Sequence, residues 1–163
     1  MLTLLILRHG KAAPEGRGSD HERPLTKHGK RAAELVGNLL RFEGPMPDQI
    51  LSSNAERARD TARRVAAAAG FDGVVQELDE LYLAEPDAYI EALREHAGTA
   101  ERVLVVGHNP GLEALALLLT GEPVSLPTAG LVVCELPIRS FRELSLQVRG
   151  KMARFFVARA EED

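Results

Sequence analysis

Short, unbroken apolar runs alternate along this chain with longer segments whose apolar residues return at helical spacing. The apolar run ending at Leu7, "QILSS" (Gln49 to Ser53), "VVQEL" (Val74 to Leu78), "RVLVV" (Arg102 to Val106) and "GLVVCEL" (Gly130 to Leu136) predict strands. "RVLVV" has the pattern of a strand buried on both faces. Between them, Leu35, Val36, Leu39 and Leu40 give a helix capped by Thr26 and running to about Phe42, with "GPMP" ending it. "NAERARDTARRVAAAAG" reads as a helix capped by Asn54 or Ser53 and closed by Gly70. "PDAYIEALREHAG" opens at Pro86 and closes at Gly98. "NPGLEALALLLTG" takes Asn109 as its cap, Pro110 as its first helical residue and Gly121 as its exit; being apolar on nearly every side, it should be buried. Ala13 to Pro24 is a loop, and a further strand is expected near Ala153 to Val157. Strands alternating with helices predict an α/β fold, a three-layer sandwich whose mostly parallel central sheet has helices on both faces.

Composition narrows the function. The 163 residues fit a single domain spanning 1–163, with 45% hydrophobic and 27% charged residues. A net charge of −4 argues against a nucleic-acid or anionic-membrane surface, so any anion site must come from local placement of Arg and Lys. The apolar start is too short to span a bilayer and lacks a signal peptide's basic region, which leads us to expect a cytoplasmic protein. Cys134, the one cysteine, lies in an apolar strand and reads as an inert buried thiol. His21, His28 and His96 read as exposed, Phe155, Phe156 and Val157 as core or interface, and the "AEED" tail as solvated.

The candidate chemistry lies at strand ends. "TLLILRHG" places His9 just past the first strand, and "RVLVVGHN" places His108 at the same offset past a later one. In a parallel sheet the carboxyl ends of strands share one edge, where ligands bind. If the two strands are neighbours, the imidazoles face each other. Arg57 falls in the first turn of the helix that follows "QILSS", where free N–H groups and the helix dipole suit a dianion and a guanidinium adds a planar fork. Arg8 supplies a second fork. Two histidines between two arginines make a poor metal site and a good phosphoryl site, with a neutral imidazole as nucleophile.

These segments resemble the histidine phosphatase superfamily, which includes the phosphoglycerate mutases: "LRHGKA", "SNAERARDTA", "LDELYLA" and "VGHNPG" occur in order. The short chain, "ERPLTKHGKRAA" and "LPTAGLVVCEL" are similar to its SixA-type branch, the phosphohistidine phosphatases. The resemblance implies that His9 becomes phosphorylated, that Arg8 and Arg57 bind phosphoryl oxygens and that His108 hydrogen-bonds one of them. It places a general acid at Glu80, with Asp79, Glu77 and Asp20 as competitors, and it needs no metal or cofactor. Gly10 should let the backbone approach the phosphate closely. Arg23 lines the site's mouth or anchors its loop.

The expected activity is a metal-independent phosphatase working through a phosphohistidine intermediate. Its partner is a phosphohistidine-carrying phosphotransfer protein or, alternatively, a small phosphorylated metabolite such as a sugar phosphate. A non-catalytic phospho-binding module is the reading from another class, while the absence of a long sealing segment speaks against a mutase. Neutral His9 and protonated His108 should give a rate that varies with pH within a unit or two of about 6.5.

Overall fold

Strand β1, Leu2–Arg8, is apolar at successive positions, so both of its faces must be covered. Leu4 and Ile6 pack into one core layer and Leu5 and Leu7 into another, all with no exposure, because side chains alternate across a strand. The computed structural model describes residues 1–16 and 18–158. The remaining strands are β2 (Gln49–Ser53), β3 (Val75–Leu78), β4 (Arg102–Gly107), β5 (Gly130–Leu136) and β6 (Lys151–Val157). The helices are α1 (Lys27–Glu43), α2 (Glu56–Ala69), α3 (Pro86–His96) and α4 (Gly111–Thr120).

The sheet order is β3-β2-β4-β1-β5-β6. β1 pairs in parallel with β4, and β2 in parallel with β3 and β4, while β5 is antiparallel to β1 and to β6. Thus β5 alone runs against the others, and the sheet is mixed with a parallel majority. Helices α3 and α4 cover one face and α1 and α2 the other, giving the expected three layers. No helix among the described residues is long and apolar enough to cross a membrane.

Several helix ends differ from expectation. Thr26 caps α1 through the Gly29 N–H, but α2 takes Ala55 as its cap with no side-chain bond. Ser53 Oγ accepts the Ala55 N–H instead and is thereby drawn into the site. Helix α3 ends at Ala97, one residue before Gly98. Helix α4 begins at Gly111 with Pro110 as its cap, while Asn109 still serves its first turn, its Oδ1 accepting the Glu113 N–H at 3.3 Å as its Nδ2 donates to the Leu126 carbonyl. Its burial is one-sided: Leu112, Leu115 and Leu119 are enclosed, whereas Leu117 is 45% exposed. Toward the C-terminus, Ser140 and Glu143 form a capping box around a short turn that seats Phe141 in the core, and β6 is longer than expected. Phe155 on β6 is exposed while Phe156 packs inward. Cys134 is buried, and burial pushes its thiol up to about 12. The "AEED" tail lies outside the described residues.

Candidate active site

The parallel pairing of β1 and β4 puts Arg8 opposite Gly107, and the His9 N–H donates to the Gly107 carbonyl at 3.2 Å. His9 and His108 therefore leave the sheet side by side. Their ring centroids lie 5.3 Å apart at 56°. β2 flanks β4 on its other edge, so α2 begins beside this pair and brings in Arg57, which is 2% exposed. Arg57 Nε donates to His9 Nε2 at 3.4 Å, and its NH2 is 3.5 Å from His108 Nδ1.

Tautomers follow from the neighbours. A carbonyl oxygen only accepts, so His9 Nδ1–H donates to the Gly10 carbonyl at 2.7 Å and Nε2 keeps a bare lone pair. A guanidinium only donates, so His108 Nδ1 faces it bare, and Nε2–H donates to Ser53 Oγ at 2.8 Å. The His108 backbone N–H donates to the buried Tyr89 hydroxyl at 3.1 Å.

The electrostatics are those of a buried cationic hollow. Burial lowers His9 to about 4, with Arg57, Arg8 and Arg23 adding to the effect against the hydrogen bond to Gly10. Burial also lowers His108 to about 3, assisted by His9 and Arg57. Both rings are neutral near pH 7, which overturns the expectation that His108 stands protonated and moves the pH window well below 6.5. Arg8 NH1 donates to the Leu126 carbonyl at 3.1 Å. Arg8 Nε is buried without a hydrogen-bond partner, the one such side-chain atom found among the described residues. Leu126 is held in turn by Asn109 Nδ2 on its carbonyl at 2.8 Å and by its N–H donating to Glu113 Oε2 at 2.6 Å.

Arg57 is also bound from outside. Its NH1 donates to the Asp20 carbonyl at 2.7 Å and its NH2 to Asp20 Oδ2 at 3.0 Å. Arg23 Nε donates to Asp20 Oδ1 at 2.9 Å, and the Tyr82 hydroxyl donates to Oδ2. The Tyr82 bond, then those of Arg23 and Arg57, hold Asp20 well below the usual carboxylate range, and the same Tyr82 bond raises the phenol. Arg23 does both things considered for it, since it lines the cavity and its NH1 fixes the loop through the Ala13 carbonyl at 2.8 Å.

A cavity of about 620 Å³ opens here, lined by Arg8, His9, Arg57, His108, Asp20 and Tyr82, with Lys11, Glu15, Arg23 and Leu83 among its outer residues. The four residues Arg8, His9, Arg57 and His108 are thus brought together. Glu80 is not: it is absent from the lining, and its carboxylate is 3.6 Å from His96 Nε2. Glu77 pairs with Arg63 at 2.7 Å on the surface, and Asp79 is likewise outside the lining. Gly10 is also a correction. It is absent from the lining, its N–H donates to Thr61 Oγ1 at 3.0 Å, and a Cβ there would meet Gly29 O at 2.7 Å. Glycine is needed because the loop after β1 rests on the backbone of α1. His21, His28 and His96 are half-buried, not exposed, and His21 packs edge-on against Tyr82 with centroids 4.8 Å apart.

Sequence reasoning assigned no role in the site to Thr61 or Tyr82, and considered Ser53 only as a helix cap. Thr61 follows Arg57 by one helical turn; it donates to the Arg57 carbonyl and accepts the Gly10 N–H, tying α2 to the loop. That spacing was visible in "RARDTA". No group of three or more His, Cys, Asp or Glu side chains among the described residues is arranged to hold a metal ion.

Residues 4–85 match the family model of the histidine phosphatase superfamily (branch 1). An uncharacterised protein of Mycobacterium tuberculosis is 36% identical over 138 residues, covering 78% of this chain and 85% of that one. Among solved structures, a candidate phosphohistidine phosphatase SixA from Agrobacterium tumefaciens is 31% identical, with a TM-score of 0.79 over 96% of this chain and 97% of that one. A second SixA-named structure, from Nakamurella multipartitia, is 29% identical, with a TM-score of 0.80 over 98% and 97%.

Proposed function

Because the chain belongs to the histidine phosphatase superfamily, we propose that it hydrolyses phosphohistidine on a partner protein through a covalent phosphoryl group on His9. The bare Nε2 of His9, fixed by the Gly10 carbonyl behind it and set between Arg57 and His108, carries this reading. An arriving phosphoryl group is gripped by Arg57 and by the unpartnered Arg8 Nε, and His108 hydrogen-bonds a third oxygen. For that bond His108 must present Nδ1–H. Ser53, which can donate as well as accept, serves Nε2 in either tautomer.

In the first step His9 Nε2 forms a bond to phosphorus while the bond from phosphorus to the leaving group breaks. The His9 ring then carries a positive charge, eased by its Nδ1–H bond to Gly10. In the second step water adds to phosphorus, the P–N bond breaks, inorganic phosphate leaves and the water proton passes to solvent or phosphate. No metal takes part.

The choice of leaving group follows from the acids available. An alkoxide needs a proton donor. Of the carboxylates lining the cavity, Asp20 is held ionised by Arg57, Arg23 and Tyr82, while Glu15 stands on the exposed rim. A phosphorylated imidazole takes its proton from solvent on its own ring and needs neither. The likeness to SixA-named structures points the same way. A small phosphorylated metabolite remains the second reading, favoured by a cavity of about 620 Å³, which is within the usual range for small-molecule sites. A mere binding module has no use for a neutral, oriented nucleophile.

The test compares specificity constants on a histidine-phosphorylated phosphotransfer domain and on a panel of sugar phosphates. We expect the domain to be preferred, and a preference for a sugar phosphate assigns the second reading. On either substrate His9→Ala should lower turnover on the order of 10⁴-fold or more. Retained turnover removes His9 as nucleophile.

A further inference from the structure

Left-handed backbone in this protein falls into two groups. Gly44, Gly70 and Gly121 adopt it as helix caps and Gly98 just beyond α3, where it costs glycine nothing. Among the described residues, the non-glycine cases are Ala129 (φ 60), next to the cavity-lining Thr128, and Leu83 (φ 50), which lines the cavity itself. Ala129 has an evident reason, because its N–H donates to the carbonyls of both Arg8 and His9, at 3.1 and 3.0 Å. Leu83 holds the third position of a turn that the Ala84 N–H closes on the Leu81 carbonyl at 3.3 Å, with Tyr82 at φ −67 and ψ 118, a position that calls for a positive φ and favours glycine over leucine. Its side chain is 55% exposed, so a large apolar group sits in a conformation that favours glycine and buries little in return.

The turn accounts for the backbone but not for a leucine where glycine fits best, and the position of that side chain at the cavity points to its use. Tyr82, the preceding residue, stands edge-on to His108 with centroids 5.5 Å apart, and Leu83 lines the same cavity one residue farther along the chain. The exposed Lys11 and Glu15 are rim residues too, and among the described residues no segment closes over the mouth. A phosphoryl group held by Arg8, Arg57 and His108 lies inside this rim. Leu83 is then available to whatever carries that group. We propose that Leu83 is a specificity-determining contact for the carrier domain of a phosphohistidine substrate, burying its side chain against that domain on binding. This rests on the phosphohistidine reading above.

The experiment compares wild type with Leu83→Gly, Leu83→Asn and Leu83→Met on three substrates: the phosphorylated domain, phosphoramidate and p-nitrophenyl phosphate. Glycine and asparagine both accept the left-handed backbone, so the fold is kept, and the melting temperature of Leu83→Gly should equal or exceed that of wild type. Both variants should raise KM for the domain by about three- to tenfold with kcat unchanged, the effect of uncovering about half a leucine. Leu83→Met should restore KM to within about twofold of wild type. Rates on phosphoramidate and p-nitrophenyl phosphate should not move.

An unchanged KM for the domain in Leu83→Gly overturns the proposal, as does an equal loss on all three substrates. Both outcomes leave the phosphohistidine reading standing. A wild-type protein that hydrolyses phosphoramidate but not the domain overturns the carrier-protein reading and this proposal together.

Discussion

At the amino ends of β2 and β4, Asp48 Oδ2 accepts the N–H groups of Glu101 and Arg102, both at 2.9 Å, and Gln49 Nε2 donates to the His96 carbonyl at 2.7 Å. At the opposite edge of the sheet, at the carboxyl end of neighbouring β1, His9 Nε2 accepts only a long contact from Arg57, and Arg8 Nε is buried with no partner. One edge of the sheet closes its polar groups onto the backbone, whereas the other leaves a buried donor, Arg8 Nε, desolvated and unsatisfied. The helices explain the choice of edge. α2 and α4 begin at the carboxyl edge, so their free N–H groups and positive dipole ends face the unsatisfied groups. An unmade bond in a folded protein costs stability, so its persistence marks a place reserved for a ligand.

Substitutions at the two edges should separate sharply. Arg57→Ala removes the buried fork and should lower kcat/KM by about 10²-fold or more in steady-state assays; a loss under about threefold takes it out of the reacting centre. The pH profile comes next. With His9 held near 4, the neutral nucleophile persists to low pH, so kcat/KM should stay level through 6.5 and fall about tenfold per unit only below about 4. The same shift acts on folding: the unfolded chain binds protons that the folded histidines refuse, so stability present above about 6.5 should decline as pH drops toward 4 in denaturant titrations. A midpoint near 6.5 in the rate profile contradicts the burial of these rings.

Asp20 tests whether the carboxyl edge is already partly occupied. Its carboxylate holds the Arg57 nitrogen that a phosphoryl oxygen needs. Asp20→Asn should tighten inhibition by inorganic phosphate by about fivefold, and unchanged inhibition means the two do not compete. The smallest catalytic effect belongs to the amino edge. Asp48→Ala should lower Tm by about 2–4 °C while kcat stays within about twofold. A large kcat loss there erases the contrast between the edges.

The sheet, its layers and the meeting of His9 with His108 were legible because they follow from strand periodicity and from two motifs at equal offsets past neighbouring strands. Arg57 was legible for the same reason, one helix over. What the sequence hid depends on loops. Asp20 reaches Arg57 only because Arg23 folds the loop back through the Ala13 carbonyl. Glu80 and Tyr82 lie on one short turn, and its geometry sends the tyrosine into the cavity and the carboxylate toward His96. Asn109 does accept a first-turn N–H of α4, that of Glu113, but its Nδ2 is also held by Leu126 and the helix starts two residues later, which its motif does not reveal. Burial, too, is invisible in a motif, and it is the largest cause that moves both histidines away from their ordinary titration range.

Gly10 and Gly29 meet main chain to main chain, and a Cβ on Gly29 would lie 2.2 Å from Lys11 O. The peptide that follows His9, the proposed nucleophile, therefore rests on the first turn of α1 with no rotamer between them to absorb a displacement. A methyl group added at Gly29, outside the cavity lining, must displace the loop after β1 or the first turn of α1. The reaction centre's tolerance is thus set by a seam between two peptides that no substrate ever touches.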